Sequence, residues 1–263
     1  MDLGLQGKTA LVTGASSGLG YATALALARE GATLAINSRS QENLSAAAQK
    51  IEADTGHRPV TVVGDLGVCG TAGVVAKAVA DRLGRVDILV SNAGGPPAGP
   101  FMQHDQDTWR QAAELTLHAA IDLARAVLPT MQANKWGRIV FITSMAVKQP
   151  ADNLIISNTL RAGLTGFAKT ISNEFAGDGI TVNTVCPGYT NTERLGYLAR
   201  NLSEQSGRSV DDIFQGWKDS IPCRRLGEPG ELGDLICFLA SERAAYITGA
   251  AVPIDGGHIK GLL

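Results

Sequence analysis

Residues 13–20 read TGASSGLG, directly after an apolar run and directly before a helical stretch. A helix starting there presents free backbone N–H groups and the positive end of its dipole, which is what a phosphate needs. Gly14 permits the tight turn, Gly18 lets the backbone approach a pyrophosphate, and Gly20 lets helix and strand pack closely. Ser16, Ser17 and Leu19 complete the loop. The glycines come with the strand–turn–helix context that the motif requires, so dinucleotide chemistry is expected. The second apolar run ends INSRS. An NAD-preferring site usually carries an acid at that point for the ribose 2′-hydroxyl. Ser38 stands there instead, followed by Arg39. Nothing repels a 2′-phosphate and a guanidinium can clamp one, so NADP(H) is favoured over NAD(H). Asp65, just before Leu66, is expected to accept from the adenine amino group, and Asn92, Ala93 and Gly94 to close the cofactor floor.

These residues need a frame that gathers them. Strands are expected over 8–13, 32–37, 60–65, 86–92, 137–144, 180–188 and 250–254. They alternate with helices expected over 18–30, 40–54, 70–83, 107–133, 155–176 and 229–240. Continuous apolar strands alternating with helices indicate a parallel sheet covered on both faces. Seven such strands make a doubly wound α/β fold, whose ligands bind beyond the carboxyl ends of the strands. Gly14, Asp65, Asn92, Ser144 and the Pro187-Gly188 pair all fall at or just after such an end. No repeat, low-complexity tract or linker divides the chain, so a single domain over 1–263 is expected. The least regular region is a polar, helical insert at about 190–220 that mixes Leu195, Leu198, Phe214 and Trp217 with charges. It suits a lid over a partly apolar pocket, which Gly99-Pro100-Phe101 would help to shape.

Bulk properties exclude other classes. The 263 residues are 44% hydrophobic with a net charge of −2. A chain of that make-up can bury a sizeable core, and it lacks the basic excess of a nucleic-acid-binding protein. Cys69, Cys186, Cys223 and Cys237 form no CxxC pair, and His57, His104, His118 and His258 are scattered. No metal site is indicated, and free thiols fit a reducing cytosol. The N-terminal MDLGLQGKTALVTG has no apolar core after a basic start, and no window approaches a membrane span. A soluble, cytoplasmic protein is expected.

TGASSGLG, then NAG at 92–94, Ser144 after a strand, PGYTNT at 187–192 and ITGAAVPIDGG at 247–257 resemble the short-chain dehydrogenase/reductase family. Within it the chain is most similar to the branch of 3-oxoacyl-carrier-protein reductases, and the likeness runs over about residues 5–257. The resemblance implies a Rossmann-type domain, a nicotinamide cofactor and a small carbonyl or alcohol substrate. It also implies a homotetramer or homodimer, in which the C-terminal strand and its helix often form one interface. Thr192 matches the family position that hydrogen-bonds the nicotinamide carboxamide.

The family's catalytic set is an Asn, a Ser, a Tyr, and a Lys four residues after the Tyr. The Ser is Ser144, but the Tyr falls on Ser157, the Lys on Arg161 and the Asn on Thr116. Chemistry decides how much that matters. A free phenol has a pKa near ~10, and bringing it toward neutrality takes roughly 4 kcal/mol. An aliphatic hydroxyl is nearer water's ~15.7, and the comparable shift takes about 12 kcal/mol. Ser157 can orient a substrate but is a poor general acid. Arg161 cannot relay protons as Lys does, yet it can bind an anion, a ribose hydroxyl or a developing oxyanion. Three outcomes stand open: an oxidoreductase with another donor, a lyase or isomerase that uses Arg161 and Ser144 as an anion clamp, or a dinucleotide-binding protein without turnover. For the first, the substitute donors are Tyr189 at the pocket edge, Lys148 on the loop after Ser144, and water held by Ser144 and Ser157. The intact glycine loop argues for the first over the second. An acyl-carrier-protein substrate would want a basic patch, for which Arg194, Arg200, Arg224 and Arg225 are the candidates.

Overall fold

The computed structural model describes residues 1–262. Seven short apolar segments become strands: β1 Thr9–Val12, β2 Thr33–Ser38, β3 Val60–Val63, β4 Ile88–Ser91, β5 Gly137–Ile142, β6 Ile180–Pro187 and β7 Ala251–Ile254. They form one sheet in the order β3-β2-β1-β4-β5-β6-β7, and every neighbouring pair is parallel. β1, β4 and β5 are buried at every position, as strands covered on both faces must be.

The helices are α1 Gly18–Arg29, α2 Gln41–Thr55, α3 Thr71–Leu83, α4 Gln106–Ala113, α5 Ala119–Ala133, α6 Ile155–Phe175, α7 Glu193–Ser206, α8 Val210–Ser220 and α9 Pro229–Leu239. One core cluster packs α1, α2 and α9 against one face of the sheet. Another packs α3, α5 and α6 against the other. The helical faces follow the 3.6 period: α2 buries Leu44, Ala47, Ala48 and Ile51, and α3 buries Ala72, Val75, Ala76 and Val79. Helices α1 and α9 come very close, because a Cβ on Gly233 would stand 2.8 Å from the Ala22 carbonyl oxygen. The result is the expected single Rossmann-type domain, with a topological switch between β1 and β4 where the chain order reverses.

Two regions differ from the expectation. The helix expected over 107–133 is broken into α4 and α5 by one π-helical turn, Glu114–His118. Such a turn inserts one residue and re-aims the side chains on it. The insert at 190–220 resolves into α7 and α8, each capped by a side-chain oxygen. Thr192 accepts from the Leu195 N–H at 3.3 Å and Ser209 from the Asp212 N–H at 3.1 Å.

Candidate active site

Four carboxyl-end loops build the site. The first turns from β1 into α1. Gly14 has φ +56, and its carbonyl accepts from Asn92 Nδ2 at 3.1 Å. Asn92 is itself held by Thr13, which exchanges hydrogen bonds with its backbone N–H and carbonyl at 2.9 and 2.8 Å. Gly20 leaves no room for a side chain: a Cβ there would run into the Gly14 carbonyl and lie 2.8 Å from Asn92 Nδ2. Ser17 precedes α1 but makes no side-chain cap bond. The first N–H groups of α1 therefore keep their capacity for an anion. Gly18, at φ +56, faces the Thr192 methyl across the groove at 3.7 Å from where a Cβ would be.

The adenine end is more open. The Ala15 N–H donates to the Asn37 carbonyl at 3.0 Å, and Asn37 Nδ2 reaches the Val62 and Gly64 carbonyls, so β1, β2 and β3 end in register. Ser38 is buried and its hydroxyl turns to the Ser40 carbonyl at 3.3 Å. Arg39 is exposed beside it. Asp65 is exposed and its Oδ1 accepts from the Gly67 N–H at 2.9 Å. The side chain of Leu66 packs into the core, which leaves its backbone to face a ligand.

From Gly14 and Gly18 a cavity of about 410 Å³ continues past Asn92, Ala93 and Gly94 to Ser144, Ser157 and Arg161, and is closed by Pro187, Gly188, Tyr189 and Thr192. A second cavity of about 480 Å³ adjoins it through Met145, Leu154, Tyr189 and Leu198. Gly99 and Pro100 line its wall together with Asp152, Trp217 and His258, whereas Phe101, expected beside them, is exposed and lines neither cavity.

Ser144 is half-buried, and its hydroxyl accepts from the Ala146 N–H at 3.1 Å. Ser157 and Arg161 lie four residues apart on α6, so they share one face of the helix. They are 7% and 8% exposed. The turn before α6 is fixed by Asn158, whose amide donates to the Ala151 carbonyl at 2.9 Å and whose carbonyl accepts from the Ala151 N–H at 3.3 Å. Arg161 Nη1 donates to the carbonyls of Ile142 and Thr143, at 2.9 and 2.7 Å. It thereby satisfies the end of β5 with charge-assisted bonds. Burial, aided by the Arg194 charge, lowers the pKa of Arg161 to about 10, so it remains cationic at neutral pH.

Thr116 sits on the π-helical turn, 4% exposed, and its Oγ1 is buried with no hydrogen-bond partner among the described residues. It does not line the cavity. His118, two residues on, is exposed and bonded to Glu114 at 3.1 Å. Tyr189 stacks on Trp217 with ring centroids 5.0 Å apart and meets His258 edge-on at 5.3 Å. Burial raises its phenol above the ordinary value, and the charge of Asp152 raises it further.

The four arginines named as candidates for one basic patch diverge. Arg194 turns into the cavity, Arg225 pairs with Glu231 at 2.6 Å, Arg224 holds the Asp219 carbonyl, and Arg200 is exposed. All four cysteines are free, and among the described residues no group of His, Cys, Asp and Glu could hold a metal ion. Nor is any described helix long and apolar enough to cross a membrane.

The family model described as "Enoyl-(Acyl carrier protein) reductase" matches residues 14–258. The chain is 36% identical over 254 residues to Oxidoreductase UcpA of Escherichia coli strain K12, covering 96% of this chain and 95% of that protein. The crystal structure of L-sorbose reductase from Gluconobacter frateurii, complexed with NADPH and L-sorbose, is similar with a TM-score of 0.94 and 35% identity, covering 100% of both chains. A 3-oxoacyl-(acyl-carrier-protein) reductase from Agrobacterium tumefaciens with NADP bound is similar with a TM-score of 0.88 and 29% identity, covering 97% of this chain and 95% of that one.

Proposed function

The chain belongs to the short-chain dehydrogenase/reductase family, and from that premise we propose that it is an NADP(H)-dependent oxidoreductase acting on a small carbonyl or alcohol substrate, with a proton donor other than the family's tyrosine. The observation that carries this reading is the continuity of the groove. The uncapped N-terminus of α1 opens into the same cavity that reaches Ser144, Ser157 and Arg161. A protein that had lost its dinucleotide would not need that cradle, which any Cβ at Gly20 would fill.

The residues fit the cofactor. Gly14, Ser16, Ser17, Gly18, Leu19 and Gly20 hold the pyrophosphate on backbone N–H groups. Ser38 and Arg39 take the 2′-phosphate, and Asp65 and Leu66 flank the adenine. Asn92, Ala93 and Gly94 form the floor, and Pro187, Gly188 and Thr192 hold the carboxamide. The bound nicotinamide supplies or accepts a hydride. Ser144 and Ser157 orient the substrate oxygen by hydrogen bonding. Tyr189 closes the wall shared with the second cavity and donates the proton. Helices α7 and α8 act as the lid.

Direct calorimetric titration tests the cofactor. NADPH is expected to bind at micromolar concentration and more tightly than NADH. Arg39→Ala removes one charge-assisted contact, which corresponds to a loss of roughly 10- to 100-fold for NADPH. NADH should be almost unaffected, and equal losses for both would sink the 2′-phosphate assignment. Absence of binding by either nucleotide would sink the oxidoreductase reading.

The assembly is expected to be a homotetramer. β7 ends the sheet half-buried, and Tyr246 stands fully exposed just before it. An uncovered edge of that kind invites a second copy. Light scattering on the purified protein should return a mass of about four chains, and a monomer would refute it.

A further inference from the structure

Two guanidiniums line the reacting end of the groove, and neither is paired with an acid among the described residues. Arg161 lies on α6, 8% exposed. Arg194 lies on the first turn of α7, half-buried. Both line the same cavity as Ser144 and Ser157. Neither takes part in an ion pair among the described residues.

Their hydrogen-bonding capacity is mostly unused. Arg161 spends only Nη1, on the Ile142 and Thr143 carbonyls. Arg194 spends only Nη2, on the Pro96 carbonyl at 2.7 Å. Nε and Nη2 of Arg161, and Nε and Nη1 of Arg194, make no hydrogen bond within the described residues. None of them is sealed away from the cavity as a buried orphan. Arg194 is also fixed in place. Its guanidinium lies over the Tyr197 ring at 5.4 Å and presses on Gly95, where a Cβ would meet Nε at 3.1 Å.

The surrounding charges do not compensate. Arg194 and the Cys186 thiol act on Arg161, and the Tyr197 phenol acts on Arg194. The acid on the cavity lining, Glu193, is exposed at the start of α7 and forms no ion pair among the described residues. There the helix N-terminus stabilises it in any case. Two unpaired cations in one partly buried wall repel each other and lose hydration. An anion arriving between them relieves both costs, and a planar carboxylate matches the guanidinium fork.

We propose that the pocket takes an oxo- or hydroxy-acid substrate whose carboxylate is held between Arg161 and Arg194. The redox half of that statement rests on the oxidoreductase reading; the anion site does not. The same chemistry could be met by the cofactor's own pyrophosphate, so the test has to separate the two sources.

The experiment is calorimetric titration with pyruvate and acetoacetate, each against its methyl ester. It is run on the protein alone and on the protein saturated with NADP+, which cannot reduce an oxo acid. At least one acid is expected to bind 10-fold or more tightly than its ester. Arg194→Gln and, separately, Arg161→Gln should bring that ratio to about one. Arg161 also caps β5, so its variant is read only if its melting curve is cooperative, and the Arg194 variant carries the test otherwise. Equal affinities for acid and ester, no binding of either acid, or a preference that survives Arg194→Gln would overturn the proposal. So would a loss of NADP+ affinity in Arg194→Gln with the acid-to-ester ratio unchanged, which would assign the anion to the pyrophosphate. If NADP+ does not bind at all, the oxidoreductase reading fails, and the titrations of the protein alone still decide the anion site.

Discussion

Replacing Ser157 by Tyr, Arg161 by Lys and Thr116 by Asn in one variant is expected to raise kcat/KM for NADPH-dependent reduction of cyclohexanone by about 100-fold or more. A positioned general acid contributes roughly 10² to 10⁴ in rate. Ser157 cannot supply it, because its hydroxyl starts about six pKa units above a phenol. The position itself is suitable: Ser157 faces the cavity on the same side of α6 as residue 161. The 410 Å³ of open space beside it can receive a ring without displacing the core. Lys at 161 gives up part of the bonding to the Ile142 and Thr143 carbonyls, at a cost of about 1–3 kcal/mol in stability. Thr116→Asn puts a longer polar group where Oγ1 now lacks a partner. A melting curve should therefore accompany the kinetics. Ser157→Tyr alone should recover only part of the gain, since Arg161 supplies charge but no proton exchange. A well-folded triple variant with no gain would mean that the pocket no longer presents a ketone to the nicotinamide. That outcome would point to a substrate held by something other than its carbonyl, as the Arg161–Arg194 pair suggests.

The frame was legible because it is local. Each strand is a short apolar run, and each helix carries its own buried stripe, so the elements and the doubly wound class follow from patterns a few residues long. The glycine loop was legible for the same reason: turn, approach and packing are all requirements on consecutive residues. The π-helical turn at Glu114–His118 was not. The apolar period of 107–133 runs on through it, and a single inserted residue leaves no composition mark. Thr116, the residue at the family's asparagine position, lies on that turn and is buried outside the cavity.

The aromatic cluster was illegible for a different reason. Tyr189, Trp217 and His258 meet only because α8 and the C-terminal segment fold over the carboxyl end of β6. Nothing in the spacing of three residues so far apart announces their contact. Arg194 is the site residue whose place the sequence left open. A signal was present: it lies two positions after Thr192, which caps α7 and faces Gly18. A cation on the first turn of a helix opposes the helix dipole, and such a placement asks for a local reason.

Tyr189→Phe is expected to lower kcat for carbonyl reduction by about 100-fold while leaving NADPH affinity unchanged. Tyr189 lines both cavities, so the residue stands where the cofactor groove meets the second pocket. The ring is held by Trp217 and His258 rather than by its hydroxyl, so Phe keeps the stack and removes only the proton. The direction of the phenol's shift makes a further statement about pH. Burial and Asp152 raise its pKa above the ordinary value, which is near ~10. The proton is therefore retained through the neutral range and past the point where an ordinary phenol loses it, so reduction should not lose rate there to deprotonation of Tyr189. In a family member with the usual tyrosine and lysine the phenol is pulled the other way, toward neutrality. The wild-type profile should thus show no limb from this phenol near neutrality, where a family-type tyrosine would give one. Full activity in Tyr189→Phe would remove it as donor and leave Lys148, or water between Ser144 and Ser157. Lys148→Met separates those two: loss of activity selects the amine, and retention leaves the water. A phenol with a raised pKa is also a reluctant acid, so the uncorrected rate should sit well below that of the Ser157→Tyr, Arg161→Lys, Thr116→Asn variant. The two experiments therefore constrain each other, since a native donor as strong as the restored one would leave the triple substitution nothing to add.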